Sequence, residues 1–324
     1  MLNSYPTEKI SIILPCYNHG KFIKVRIESI LNQTYQNFEL ILLDDCSTDD
    51  SWDILTLYAS NPKVTFIERN LVNSGSPFHQ WVRGIQLAKG NWIWIAESDD
   101  YSDSNFLAEL IREIKPDIDL IYCRSNEVDE EGNILGLQKW ADQMDPNRWL
   151  STYENDGSNE IQNYLFFRNT IVNASAVIFR KPKSIPSPLT GMQFCGDWYF
   201  WIWLLRHGRI RYVASPLNFM RTHSDSTRSL KSCDRERIRF YEIKKTINSV
   251  VHFNKWALLT IFFQAFKYEW LINDIVFKSR KFGLSSKFAL QPILPIMLLP
   301  YYYFKLFKFS VLTKERRRVL IMKN

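Results

Sequence analysis

A chain of 324 residues, 46% of them hydrophobic, has apolar side chain enough for one large α/β body with an extension or for two small domains, which excludes general disorder. Its net charge of +7 hides an asymmetry: residues 1–230 carry 22 Lys and Arg against 28 Asp and Glu, and residues 231–324 carry 19 against 6. Five scattered cysteines (Cys16, Cys46, Cys123, Cys195 and Cys233), without a CxxC pair, argue against a disulfide framework or a zinc site and favour a reducing compartment.

Met1–Glu8 lacks the basic and apolar segments of a signal peptide, so a cytoplasmic location is expected. Lys9–Leu14 reads as a short buried strand closed by Pro15. Ile23, Ile27, Ile30 and Leu31 then fall at helical spacing behind Gly20. Phe38–Leu43 is a second apolar strand ending in Asp44-Asp45, and Ser47-Thr48-Asp49 resembles an N-cap for a helix through Trp52, Leu55 and Tyr58. Val64–Ile67 is a third strand. Phe78, Trp81, Val82 and Ile85 form the stripe of a helix that stops at Lys89-Gly90, and Trp92–Ala96 is a fourth strand. A helix over Asn105–Ile114 and a strand around Leu120–Tyr122 follow. This alternation predicts an α/β fold with a doubly wound, mainly parallel sheet, whose ligands bind outside the carboxyl ends of the strands.

Three of those ends carry chemistry: Pro15-Cys16-Tyr17-Asn18, Asp44-Asp45, and Glu97-Ser98-Asp99-Asp100. Carboxylates crowded at the end of a buried strand repel one another and lose hydration, a costly arrangement unless a cation sits among them. Oxygen ligands of this kind suit Mg²⁺ or Mn²⁺ bridging to phosphate oxygens. The plainer alternative is that Ser98–Asp103 simply starts the following helix.

Residues 126–158 are polar and aperiodic and read as loops and short pieces, a candidate acceptor lid. Ser175–Arg180 returns to strand-like composition, and Gly196–Arg206 is an aromatic helix with one acid, Asp197, at its start. The last third changes character. Neither Trp256–Phe266 nor the proline-broken Phe288–Phe304 reaches the ~20 apolar residues of a spanning helix. The cations that follow (among them Lys305, Lys308 and Arg316–Arg318) and a belt of tyrosines predict a segment lying on an anionic membrane surface; the alternatives are a helical appendage and an oligomer contact. The expected domains are thus a body over 1–230 and a basic, aromatic helical extension over 231–324.

Taken together, Ser11–Asn18, Ser29–Thr34, Phe38–Asp49, Asn73-Ser74-Gly75, Ala88–Ile93 and the DXD-like acids resemble the family-2 glycosyltransferases of GT-A fold over roughly residues 9–225. The resemblance implies an inverting, metal-dependent transfer from a nucleotide-diphosphate sugar, a UDP-sugar foremost, to a saccharide or lipid-linked saccharide acceptor in surface polysaccharide or glycolipid synthesis. It implies that Pro15, Tyr17 and Asn18 line the nucleotide pocket and that Asp45 meets the pyrimidine. Asp99 would contact ribose or metal, Asp100 the metal more directly, and Glu97 would support them. His223, in the Arg221-x-His223 segment, would approach the diphosphate or metal, and Asp197 would be the catalytic base. For Tyr17, Asp44, Asp197 and His223 the bland readings are a loop aromatic, two helix-terminal acids and a structural histidine. One departure stands out: relatives carry Arg-Asn where this helix reads His79-Gln80-Trp81-Val82-Arg83.

Two rival readings remain. A nucleotidyltransferase also uses metal-bound acids on a doubly wound sheet, but Pro15–Gly20 is not a Gly-rich basic phosphate loop. A non-catalytic membrane-surface module would not need intact Asp45, Asp99, Asp100 and Asp197. Nucleic-acid binding is not expected, since the aromatic body is acidic and the basic tail carries no known motif.

Overall fold

The computed structural model describes residues 7–223 and 233–253. The N-terminal half alternates strand and helix as expected: β1 (Ile10–Cys16), α1 (Gly20–Leu31), β2 (Phe38–Asp44), α2 (Ser51–Leu57), β3 (Val64–Arg69), α3 (Pro77–Leu87) and β4 (Trp92–Ile95). Then come β5 (Tyr101–Ser102), α4 (Phe106–Arg112), the long β6 (Ile118–Val128), β7 (Ile134–Leu137), β8 (Tyr153–Asp156), α5 (Gly157–Glu160), β9 (Val177–Arg180), α6 (Gly196–Leu205), β10 (Arg209–Arg221) and α7 (Cys233–Phe253).

One mixed sheet runs through the body in the order β3-β2-β1-β4-β9-β6-β10-β5, with β7 on β6 and β8 on β10. Strands β3, β2, β1 and β4 are mutually parallel, and so are β6 and β10; β9 runs antiparallel between β4 and β6. Side chains alternate across the pleat, so each strand feeds two cores. Ile13, Ile41, Ile93 and Ile95 face α3 and the aromatic α6, whereas Ile12, Leu14, Leu40, Leu42 and Trp94 face α1, α2 and α4. Burying each such aliphatic side chain stabilises the fold by about 1.5–3 kcal/mol. Gly84 lets α3 lie directly on β1, because a Cβ there would overlap the Ile13 side chain.

The sequence expectations differ from this structure in four places. β1 runs on through Pro15 to Cys16; proline is tolerated there because the pairing with β4 has stopped at Ile13, so no ladder donor is needed on that side. α2 begins at Ser51, so Asp49 is not its N-cap. The stretch 126–158, expected as loops and short pieces, contains the end of β6 together with β7 and β8. β10, thirteen residues long, forms where the sequence pattern predicts no strand. β10 hides its period because its pairing with β6 shifts register around Pro216. Just past the expected boundary at 230, α7 packs on the body through buried Glu242, Thr246 and Val250. Among the described residues no helix is long and apolar enough to cross a membrane. The segments expected to meet a membrane, from Trp256 onward, lie outside the described residues.

Candidate active site

The loops after β1 and β2 are held against each other by side chain to backbone bonds. The Asn18 N–H donates to Ser47 Oγ (2.9 Å), and Asn18 Oδ1 accepts from the Thr48 N–H (2.7 Å). The His19 N–H donates to Ser51 Oγ (2.9 Å), while Asp49 Oδ2 accepts the first N–H of α1, from Gly20, at 2.9 Å. Asp49 therefore serves the neighbouring helix. Two non-glycine residues adopt left-handed backbone here, Asn18 (φ 53°) and Cys46 (φ 62°), one at each strand end. Such conformations cost on the order of 1–3 kcal/mol each and persist where the surrounding structure over-determines them. Tyr17 projects outward, 44% exposed, while Pro15 is buried in the strand.

The two acids at the end of β2 differ. Asp44 is wholly buried, accepts the Ser47 N–H (3.0 Å) and pairs with Arg69 at 3.3 Å. Asp45 accepts from Asn70 Nδ2 (2.6 Å), Asn73 Nδ2 (3.1 Å), the Ser74 N–H (3.0 Å) and Ser74 Oγ (2.7 Å), with Gln80 Nε2 at 3.4 Å. It shapes the loop 70–76, and a base N–H reaching it would have to share or displace one of these donors. Arg83 pairs with Glu68 at 2.7 Å.

At the end of β4 the acids are crowded and only partly compensated. Burial, then the charge of Asp99, pushes Glu97 up to about 8, although Trp81 Nε1 donates to it at 3.0 Å. Burial and the Asp99 charge raise Asp100 to about 6. Its Oδ1 accepts the Arg221 N–H (2.9 Å) and its Oδ2 the Asn173 amide (2.8 Å). Burial also works to raise Asp99, but the bond from His223 and the charges of His19 and His223 outweigh it and bring Asp99 down to about 2. Beneath the acids lies Arg26. It is fully buried, stacked on Trp94 (4.8 Å to the ring centroid), and its guanidinium nitrogens have no protein hydrogen-bond partner. Burial lowers Arg26 to about 10 against the charges of Asp100, Asp99 and Glu97, which act to raise it.

His223 Nε2 lies 3.2 Å from Asp99 Oδ2, and His19 Nδ1 lies 2.6 Å from Ser98 Oγ. The two imidazoles pack edge to face, 5.6 Å between centroids. One donor atom from each of His19, Asp99 and His223 falls within 4.8 Å of the others, a nitrogen and oxygen set that fits a divalent ion.

Asp197 is the second residue of α6, in the first turn, where helix N–H groups favour negative charge. Gly196 brings this turn against α3, since a Cβ there would overlap the Phe78 ring, and Ser76 Oγ donates to the Met192 carbonyl. Asn169 Nδ2 donates to Asp197 Oδ2 at 2.9 Å. Asn169 and Asn173 sit on one loop, so a single segment ties Asp197 to Asp100. With Asp45 linked through Ser74 to the α3 N-terminus, the three acids belong to one connected region of the carboxyl-end face. His19, Arg26, Asn169 and Asn173 were not singled out from sequence.

Comparison with known proteins decides the lineage. The model of "Glycosyl transferase family 2" matches residues 11–183, more than half of the chain. The chain belongs to glycosyltransferase family 2. Glycosyltransferase GlyG of Streptococcus pneumoniae is 36% identical over 130 residues, which are 39% of this chain and 42% of GlyG; the match thus spans less than half of that relative's length. The crystal structure of S. aureus TarS 1–349 in complex with UDP-GlcNAc superposes with a TM-score of 0.58 at 19% identity, covering 90% of this chain and 79% of TarS 1–349. Mannosyltransferase PcManGT from Pyrobaculum calidifontis, in complex with GDP-Man and Mn²⁺, gives 0.51 at 12% identity over 90% of this chain and 85% of its own. These two structural likenesses are of fold, and they bear out the GT-A architecture expected from sequence.

Proposed function

We propose that this family-2 glycosyltransferase catalyses inverting transfer of a sugar from a UDP-sugar to an acceptor hydroxyl in the synthesis of a surface polysaccharide or glycolipid. The observation that carries the reading is the single loop whose Asn169 holds Asp197 and whose Asn173 holds Asp100. It fixes a base relative to the place where a diphosphate would be neutralised. Asp197 takes the proton from the acceptor hydroxyl, the oxygen attacks the anomeric carbon from the face opposite the diphosphate, and the nucleoside diphosphate leaves with the bonding pair. Pro15, Tyr17, Asn18 and Asp45 flank the nucleotide. Asp99 and His223, with Asp100 beside them, would hold Mg²⁺ or Mn²⁺, and the ion when bound supplies positive charge to the departing diphosphate. The TarS complex with UDP-GlcNAc supports a uridine donor, and the PcManGT complex supports Mn²⁺. The basic, aromatic tail supports an acceptor presented at the inner face of the cell membrane.

The test is a panel of nucleotide sugars assayed for Mn²⁺-dependent donor hydrolysis and transfer, on wild type and Asp197→Asn. Loss of a general base costs about 10²–10⁴-fold. Asp197→Asn should therefore lower transfer by that much while UDP binding, measured by calorimetry, stays unchanged. Near wild-type transfer removes Asp197 from the base role.

A further inference from the structure

We infer that His19, rather than Asp100, completes the metal site with Asp99 and His223, and that this two-imidazole, one-carboxylate set selects a first-row transition ion over Mg²⁺. The inference rests on the metal–diphosphate reading of this face and adds to it a ligand and a preference.

Asp100 is poorly placed to serve. Both of its oxygens are held by protein donors, Oδ1 by the Arg221 N–H and Oδ2 by the Asn173 amide. His19 is differently situated. It is the N-cap residue of α1 in the loop that follows β1, its backbone N–H is fixed on Ser51, and its ring packs against Phe22 and His223. Its donor atom lies with those of Asp99 and His223 inside the 4.8 Å span that one ion bridges. The contact of Nδ1 with Ser98 Oγ is the arrangement that orients a metal-binding imidazole: a ligating histidine commonly donates its other ring N–H to a nearby acceptor, which fixes tautomer and plane. On that pattern Nδ1–H faces Ser98 and Nε2 binds the ion. Three protein ligands would leave such an ion able to take substrate oxygens as well.

Ligand chemistry supplies the selectivity. Mg²⁺ prefers oxygen ligands and sheds water reluctantly, while affinity for nitrogen ligands rises along the first row from Mn²⁺ through Co²⁺ to Ni²⁺. A site with two imidazoles gains most for Co²⁺ and the later ions, less for Mn²⁺ and least for Mg²⁺.

The test uses the full chain with Mn²⁺ as the probe, with UDP absent and present. Pulsed EPR of the bound Mn²⁺ should give nitrogen couplings from two imidazoles in wild type and from one in His19→Gln. Titration of the free Mn²⁺ EPR signal should show that His19→Gln weakens binding by at least about tenfold, because loss of a mere supporting partner already costs 10–100-fold. Mg²⁺ competition should change less, so the Mn²⁺/Mg²⁺ preference falls. One imidazole coupling in wild type overturns the inference even if His19→Gln fails to fold, and so does undiminished Mn²⁺ affinity in a folded His19→Gln. Asp99→Asn separates the two levels. If it weakens Mn²⁺ binding and His19→Gln does not, only the His19 assignment fails; if neither does, the metal reading of the face fails with it.

Discussion

The parallel strands end very differently at their two edges. At the amino edge, Glu39, the second residue of β2, has a carboxylate that is 1% exposed and fully answered. Ser11 Oγ and the Lys89 N–H each donate to it at 2.6 Å, Lys9 lies 3.4 Å away, and Ser11 in turn accepts the Gly90 N–H at 2.7 Å. Burial alone would raise Glu39, but these partners hold it below the usual carboxylate range. At the carboxyl edge, Glu97, Asp99 and Asp100 crowd one another over a guanidinium that makes no protein hydrogen bond. A buried charge satisfied by the protein belongs to the fold. Buried charges left to repel one another mark where the fold waits for something else.

Arg26 offers the most severe way to break that comparison. As the cation built in beneath the acids, it should be worth about 3–5 kcal/mol, the usual cost of removing one partner from a buried charge cluster. Arg26→Met should lower the metal-free melting temperature accordingly, and Mn²⁺ should restore more stability to the variant than it adds to wild type. Thermal melts with and without Mn²⁺ decide this. Equal Mn²⁺ stabilisation in both proteins would show that Arg26 and the ion do not share the same charges.

Smaller, and sharper in sign, is the pH dependence. Glu97 binds its proton more tightly in the folded state, at about 8 against an ordinary 4.5. Its contribution is therefore complete below 4.5 and is lost as pH rises through 8. Glu39 has the opposite sign: its lowered folded value contributes above 4.5 and is lost as pH falls through that value. Metal-free stability should climb out of the acid range and then decline between about pH 5 and 8. Glu97→Gln should flatten the upper limb and Glu39→Gln the lower, read by melting temperature across pH. If one substitution moves both limbs, the two edges are not independent.

Much of this was legible from residues. Alternating β-branched strands and apolar helix stripes located the parallel half of the sheet, and three chemically loaded strand ends, two of them acidic, pointed to one face. Arg26 went unread although it left a signal: position 26 falls on the stripe of Ile23, Ile27 and Ile30, where a cation must be buried. His19 had a weaker signal, an imidazole one residue past a loaded strand end. Asn169 and Asn173 had none: neutral amides in an aperiodic segment acquire meaning only when the chain folds back on Asp100 and Asp197. β7, β8 and β10 were hidden because register shifts and mixed burial break the period of two.

Glu242 tests whether satisfaction by the protein always means a purely structural role. It lies on α7, is 2% exposed, and accepts the N–H groups of Gln193, Phe194 and Cys195 at 2.7–2.8 Å. By the comparison drawn from Glu39 it belongs to the fold. Yet Cys195 is the residue that opens α6, and Asp197 is in that helix's first turn. Glu242→Gln replaces one acceptor oxygen by an amide donor, leaving at least one buried N–H unanswered at a cost of about 1–3 kcal/mol. Should that cost fall on the loop, Asp197 loses its position: kcat drops about tenfold, equivalent to 1.4 kcal/mol in the barrier, while KM for the donor holds. Glu39→Gln is the control, with a similar loss of melting temperature and unchanged turnover per folded molecule. If Glu242→Gln behaves like that control, α7 only supports the body. If kcat falls alone, the first helix past residue 230 sets the position of the proposed base, Asp197, and a well-satisfied carboxylate can serve chemistry by holding still another group.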